Sequence, residues 1–343
     1  MMIDLRSDTI TRPTEEMRKA MSAAEVGDDV YGEDPTVQRL EELAAGLTGH
    51  EAALFVTSGT QGNLVALLSH CARGDGAIVG KACHIYNYEG GGLAVLGGVM
   101  PLVVDDAGGL PSKDGVQALC RDENVHFAPA RLLCLENTHN REGGNAADPV
   151  AYGELVRCAL DAGLAVHLDG ARIFNAAVAW RVDVKEFTAA VDSVQLCLSK
   201  GLGAPVGSVV CGSKEFIRQA RHWRKRLGGG LRQAGVIASA GIVALERMVS
   251  RLAEDHENAA LLATLLREGG MGVESCAKPT NMVYVSLAPS FPEAKEIAER
   301  CRKRGVLFNP TSPRRFRLVT HFDVNEADVR RAAAVILEEA RPS

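Results

Sequence analysis

A lysine that ends an apolar run and opens a glycine-rich loop sits in an unusual place for a charge. Lys200 closes SVQLCLS and precedes GLGAPVG. The carboxyl end of a strand in an open α/β sheet borders the crevice where such proteins bind ligands. A lysine held partly out of water there can offer the neutral amine that Schiff-base chemistry needs. Taken alone, the pattern also describes a lysine that merely reaches solvent from a strand end. Asp169 ends a second apolar run, LAVHLD, within HLDGAR (167–172). A carboxylate in that place can pair with a protonated pyridine nitrogen and turn an aromatic cofactor into an electron sink; Asp before Gly is equally an ordinary turn. The two residues are 31 apart, about one strand–helix unit, so both can face one pocket. A third strand end, TSGTQGN (57–63), turns through Gly59 into QGNLVALLSHC. Free N–H groups at such a turn, with the Ser58 and Thr60 hydroxyls beside them, suit a phosphate, although Ser-Gly-Thr turns also serve as plain helix caps.

Positioning three such strand ends in one pocket requires a parallel sheet. Short apolar runs alternate with longer amphipathic stretches, the pattern of strand–helix units. Strands are expected at 52–57, 77–79, 132–135, 164–168, 193–198 and 208–211. One helix can be placed closely: Asp34 caps it, Pro35 takes its first position, Val37, Leu40, Ala44 and Leu47 share a face, and Gly49 stops it. Beyond about residue 250 the pattern changes to a long charged helix, an apolar run at 281–287, a helix from Pro292 to Arg304, FRLVTH (316–321) and a final helix from about Asn325. The expected organisation is therefore a mostly parallel α/β large domain over 1–250, including the N-terminal segment, and a small α+β C-terminal domain over 251–343.

Composition narrows the function. A chain of 343 residues, 46% hydrophobic and 24% charged, can bury a sizeable core. A formal charge of −5 gathers neither nucleic acid nor anionic lipid, so the partner is a small molecule. The basic run RQARHWRKR (218–226) reads as a solvated helix face with only Trp223 for base stacking. Nine cysteines without a C-x-x-C pair fit a reducing compartment, and no secretory or membrane-spanning segment is visible; a cytoplasmic enzyme is expected. No H-E-x-x-H or similar ligand spacing supports a metal-dependent reaction.

The segments DLRSDT (4–9), VGDDVYGEDP (26–35), SGTQGN (58–63), HIYNYEGGG (84–92), LENTHNREGG (135–144), HLDGARIFNA (167–176), LSKGLGAPVGS (198–208), GGGLRQAG (228–235) and RLVTH (317–321) resemble, in order and over essentially the whole chain, the low-specificity L-threonine aldolases. These are pyridoxal-5′-phosphate enzymes of fold type I, the aspartate-aminotransferase-like class. The sequence departs from the pattern at Gln61–Gly62, where more apolar residues are expected and where phosphate-site packing could change. The resemblance implies that Lys200 carries the cofactor as a Schiff base, Asp169 binds its pyridine nitrogen, and Gly59 and Thr60 hold its phosphate. It also places His84 on the ring face, where a plain turn histidine is the alternative. Ser7, Arg172 and Arg317 are implied for the substrate carboxylate, with Arg172 also counted at the cofactor. Arginine presents paired donors that grip a carboxylate bidentately, although either arginine could be a surface ion pair. Because sites of this class lie between subunits, Tyr31, Lys225 and Arg232 could act from a second copy, closing on phosphate or the pocket mouth, which implies at least a dimer and usually a tetramer.

The implied reaction is a reversible retro-aldol cleavage of a β-hydroxy-α-amino acid to glycine and an aldehyde. His84 and His126 are the candidate bases for the β-hydroxyl proton, directly or through water, with an ordinary loop histidine the alternative for His126. Two rivals remain: a β-eliminating lyase, which removes the Cα proton first, and a non-catalytic protein that keeps the fold and cofactor.

Overall fold

The computed structural model describes residues 2–341 apart from residue 123. Among these described residues, thirteen strands form three sheets. β1 (Ile3–Asp4) lies at the N-terminus; β2 (Ala52–Val56), β3 (Gly76–Gly80), β4 (Met100–Val104), β5 (Ala130–Glu136), β6 (Ala165–Asp169), β7 (Ser193–Cys197) and β8 (Ser208–Gly212) build the central sheet. The C-terminal part contributes β9 (Gly272–Val273), β10 (Met282–Ser286), β11 (Val306–Leu307), β12 (Asn309–Ser312) and β13 (Arg315–Val319).

The central sheet has the order β2-β8-β7-β6-β5-β3-β4. Only β8 runs against its neighbours, so the other six strands end on the same edge. Apart from the edge strand β4, its strands are largely buried on both faces, and successive residues serve opposite layers. Leu133 and Leu135 pack into the main core, while Leu132 and Cys134 join a second cluster with Leu67 and Ile85. Helices Pro35–Thr48 and Gly235–Val243 supply residues to the main core. Helix Gly59–His70 supplies Leu67 to the second cluster and Val65 and Ala66 to another.

The expected Pro35 helix has the cap its sequence requires. The Asp34 carboxylate accepts from the N–H groups of Thr36 and Val37, and Gly49 closes the far end at φ 77°, a conformation that favours glycine. The final helix, Glu326–Glu339, starts with a capping box between Asn325 and Asp328. β4, absent from the expected strands, lies at the sheet edge with Met100 and Val103 exposed, so no alternation marks it.

The small unit packs β12-β13-β10-β9 against helices Leu252–Glu268, Ala294–Lys303 and Glu326–Glu339 around its own core. Ile3 and Leu5 belong to that core, and β1 pairs in parallel with β11. The first strand therefore packs with the small unit, while Met17 later in the same N-terminal segment lies in the main core. Helix Leu252–Glu268 joins the cores, with Leu252 in the first and Ala259 in the second.

Candidate active site

The common edge of the sheet gathers the expected chemistry. β7 ends just before Lys200, β6 ends at Asp169, β5 ends at Glu136, β3 leads to His84, and β2 leads to the Ser58–Gly59 turn. Register puts Glu136 opposite Asp169 and Asp169 opposite Gln195, so the carboxylates occupy neighbouring strand ends.

At the β2 turn, the Ser58 hydroxyl accepts from the Gln61 N–H and caps helix Gly59–His70. First-turn N–H groups of a helix have no helical acceptor and carry the positive end of its dipole, so those of Gly59 and Thr60 suit a phosphate. A Cβ on Gly59 would stand 2.9 Å from Cys197 Sγ, which accounts for glycine at this approach. The Gln61–Gly62 departure also has a physical basis. Gln61 Oε1 accepts from both the N–H and hydroxyl of Thr57 at 3.0 Å, and a Cβ on Gly62 would lie 2.6 Å from Gln195 Cγ.

Asp169 is almost wholly buried, and both carboxylate oxygens are held: Oδ1 by the Ala171 N–H at 3.1 Å and Oδ2 by the Asn63 amide at 2.9 Å. His84 begins the short helix His84–Asn87 and donates its backbone N–H to Glu136 at 2.6 Å, while its Nδ1 meets Glu89 at 2.9 Å. Burial acts to lower the His84 pKa, but the hydrogen bond to Glu89 and the charges of Asp169, Glu89 and Glu136 raise it above the ordinary histidine value. His84, Glu89 and Asp169 present ligand-type atoms within 4.8 Å of one another. With Lys200, Asp169, His84 and the Gly59 turn on one edge, the residues fit an aromatic aldehyde carrying a pyridine nitrogen and a phosphate.

The arginines differ in what they are free to do. Arg172 gives Nε and Nη2 to buried Asp8 at 2.7 and 2.6 Å, leaving Nη1 and the second Nη2 hydrogen as its remaining donors. Burial opposes the charge of Asp8, but Arg172, Lys200 and the Asn281 amide outweigh it and hold the carboxyl far below its ordinary range. The expected two-pronged grip of Arg172 on a substrate is thus already engaged by Asp8. Arg317 is only part-buried; its Nη1 donates to Asn140 at 2.8 Å and its Nη2 to the Arg6 carbonyl at 3.3 Å. Ser7 stands next to Asp8 and caps a short turn, accepting from the Thr9 N–H at 3.2 Å.

His126 is not brought to this cluster within the chain. It sits on an exposed turn before β5 begins, toward the opposite edge of the sheet. Tyr31 is 76% exposed, and Lys225 and Arg232 are also exposed. Asp28 caps the turn carrying Tyr31 and pairs with Arg232 at 2.9 Å, while buried Asp29 pairs with Arg224 at 2.8 Å. These contacts fix the loop and turn it outward. A cavity of about 800 Å³ lined by Arg141, His256, Lys278 and Arg315 lies elsewhere; Lys200, Asp169 and His84 do not border it.

Sequence reasoning missed Asp8, Asn63, Glu89, Glu136 and Asn140 as individual site residues. Glu136 carried the same signal as Asp169, a carboxylate closing an apolar run. It anchors the His84 N–H with one oxygen and the Asn140 N–H with the other, and Asn140 in turn holds Arg317.

Comparison with known proteins agrees with this geometry. The β-eliminating lyase family model matches residues 4–288. The low-specificity L-threonine aldolase of Escherichia coli K12 is 50% identical over 97% of this chain and 98% of its own. Low-specificity L-threonine aldolase 1 of Arabidopsis thaliana is 46% identical over 95% and 93%. Among solved structures, the Leishmania major threonine aldolase superposes with a TM-score of 0.83 at 19% identity, covering 98% of this chain and 99% of the other. Serine palmitoyltransferase of Sphingomonas wittichii gives 0.78 at 17% identity, covering 98% and 87%, which extends the likeness in fold alone. The ordered strand-end motifs, the fold-type-I architecture and these full-length relatives together make the chain a member of the β-eliminating lyase family, in its low-specificity L-threonine aldolase branch.

Proposed function

We propose that the protein cleaves L-threonine, L-allo-threonine and related β-hydroxy-α-amino acids to glycine and an aldehyde, acetaldehyde in the case of threonine, and that it runs the reverse addition as well. The observation that carries this reading is the placement of Lys200 and Asp169 on adjoining strand ends, with His84 at the same edge and Arg317 of β13 bonded to Asn140, just beyond the β5 end. Pyridoxal phosphate, when bound, supplies the electron sink that takes up the charge left on the substrate Cα.

The chain's own residues supply attachment, orientation and proton handling. Lys200 would hold the cofactor aldehyde through its side-chain amine. Asp169 meets the pyridine nitrogen as a carboxylate already oriented by Ala171 and Asn63. Arg317, with Arg172 Nη1 and the Ser7 hydroxyl, holds the substrate carboxylate. That grip would fix rotation about the substrate N–Cα bond and so select which Cα bond breaks. His84 is the base within the chain: with Nδ1–H directed at Glu89, Nε2 is left to take the β-hydroxyl proton. His126 can reach a site only on a neighbouring copy.

The exposed face formed by Tyr31, Lys225 and Arg232 supports sites completed by a second copy, and hence a dimer or a tetramer built from two such dimers. Among the described residues no helix is long and apolar enough to cross a membrane, and all nine cysteines are free. The free cysteines support a reducing, cytoplasmic compartment, and the proposed reaction gives the enzyme a part in threonine breakdown and glycine formation. Incubation of the holoenzyme with each threonine diastereomer tests the reaction. Equal amounts of acetaldehyde and glycine are expected, whereas 2-oxobutyrate and ammonia would replace the aldolase with an eliminating lyase.

A further inference from the structure

Behind Asp169 and its Asn63 partner, buried His167 and Ser193 lead to half-buried His70, a file of three side chains that the steps above leave without a role. Asn63, 1% exposed, directs its amide nitrogen at two carboxylates: Asp169 Oδ2 at 2.9 Å and Glu89 Oε1 at 2.8 Å. Both amide hydrogens are thereby engaged, so its Oδ1 can only accept, and it accepts from His167 Nε2 at 3.1 Å. His167 must then carry its proton on Nε2, leaving Nδ1 to accept the Ser193 hydroxyl proton at 2.8 Å. Ser193 Oγ, with its hydrogen given away, accepts in turn from His70 Nε2 at 2.8 Å. His70 is held flat against Phe216, ring centroids 4.6 Å apart.

Every donor in this file points the same way, from His70 toward Asp169. Burial keeps both imidazoles neutral, drawing His167 down to about 3 and His70 down to about 4, as the assigned tautomers require. The direction matters because a flipped Asn63 amide would set its carbonyl oxygen against two carboxylates. The Nε2–H of His167 opposes that flip, since it would then face an amide nitrogen with no lone pair to accept it.

We propose that Asn63 is a positioning residue for the electron sink, locked by His167, Ser193 and His70, that holds Asp169 and the Glu89–His84 pair at a fixed separation. The amide places a donor between two acids that would otherwise repel, so Asp169 stays aimed at the pyridine nitrogen while Glu89 stays on the His84 imidazole. The proposal rests on the cofactor reading given above.

Three variants of the holoenzyme test it: Asn63→Ala, His167→Leu and His167→Gln. Gln can direct an amide N–H toward Asn63 Oδ1, so it is the conservative replacement. The readouts are the visible absorption of bound pyridoxal phosphate across pH, the cofactor Kd, kcat and KM separately, and thermal unfolding. Removing outer partners of metal-binding groups typically costs about 10–100-fold, and a fall in kcat of that order is expected for Asn63→Ala and His167→Leu. Little change in KM, a displaced pH midpoint of the visible band, and recovery in His167→Gln should accompany it. If Asn63→Ala does not fold, the two His167 variants decide the matter alone. A lower melting temperature with the wild-type spectrum, pH midpoint and kcat would overturn the proposal and leave a packing role. An unchanged spectrum in variants of an enzyme that cleaves threonine defeats the relay alone. A wild type with cofactor bound but no threonine cleavage defeats the reaction, and the spectral comparison still judges the relay.

Discussion

Removing the Asp8 carboxylate should unfold the protein far more readily than loss of one surface charge. Asp8 is fully buried and Arg172 is 8% exposed, and two charge-assisted hydrogen bonds at 2.7 and 2.6 Å join them, with the Asn281 amide at 3.2 Å completing the acceptor's shell. Asp8→Ala leaves the guanidinium in a dry site with no counter-charge, a change that costs about 3–5 kcal/mol when one partner of a buried pair is removed. Urea unfolding at pH 7, with wild type and variant in parallel, measures it. The pH dependence has a definite sign. The folded carboxyl of Asp8 is held below its unfolded value, so its contribution is complete above the ordinary carboxylate range, near 4, and is lost as pH falls further toward the folded value. The gap between wild type and Asp8→Ala should therefore narrow on acidification. Replacing both partners, Asp8→Leu with Arg172→Met, should recover most of the lost stability, because no unpaired charge remains. A loss below about 1 kcal/mol for Asp8→Ala at pH 7 would refute the argument, since that is the range of exposed pairs.

Three further outcomes are expected. Lys200→Ala should abolish both turnover and the visible absorbance of the lysine-linked cofactor; wild-type-like turnover in a steady-state assay removes the lysine from its role. Glu89→Gln takes away the hydrogen-bonded carboxylate that raises His84, so the imidazole becomes neutral at lower pH and the acid limb of kcat/KM should move down; an unmoved limb separates that limb from His84. Gly62→Ala forces a methyl to 2.6 Å from Gln195 Cγ and should cost about 1–3 kcal/mol in denaturant unfolding, in line with overpacking elsewhere; a neutral change shows that Gln195 can move aside.

Much of the site was legible because strand ends announce themselves. Lys200 and Asp169 each break an apolar run, and a parallel sheet delivers such breaks to one edge. The Pro35 helix was legible for a local reason, as its cap, first residue and stop lie within fifteen positions. Asn63 and Glu89 gave no such sign. They lie 26 residues apart, and their meaning comes from an amide and a carboxylate meeting across a helix and a loop. Arg172 was identified as a carboxylate-binding residue, but the structure places its principal acceptor on the protein itself, 164 positions away at Asp8. His126 was chosen for its side-chain type, and its place on the turn before β5 separates it from the residues at the strand ends. β4 escaped because an edge strand with outward Met100 and Val103 shows no alternation.

The pairing of β1 with β11 bears on how the molecule comes into being. The first residues hydrogen-bond to a strand about 300 positions later: Ile3 and Leu5 donate to the carbonyls of Gly305 and Leu307, and Leu5 accepts from the Val319 N–H. That contact anchors the chain just before Ser7 and Asp8. Because the N-terminal part leaves the ribosome first, the nascent chain can lay down much of the central sheet while its opening residues wait for their partners. Contacts so distant along the sequence are slow to form. The site should therefore mature last during synthesis, and a polypeptide interrupted before Val319 would hold the Lys200 strand without the segment that completes the pocket.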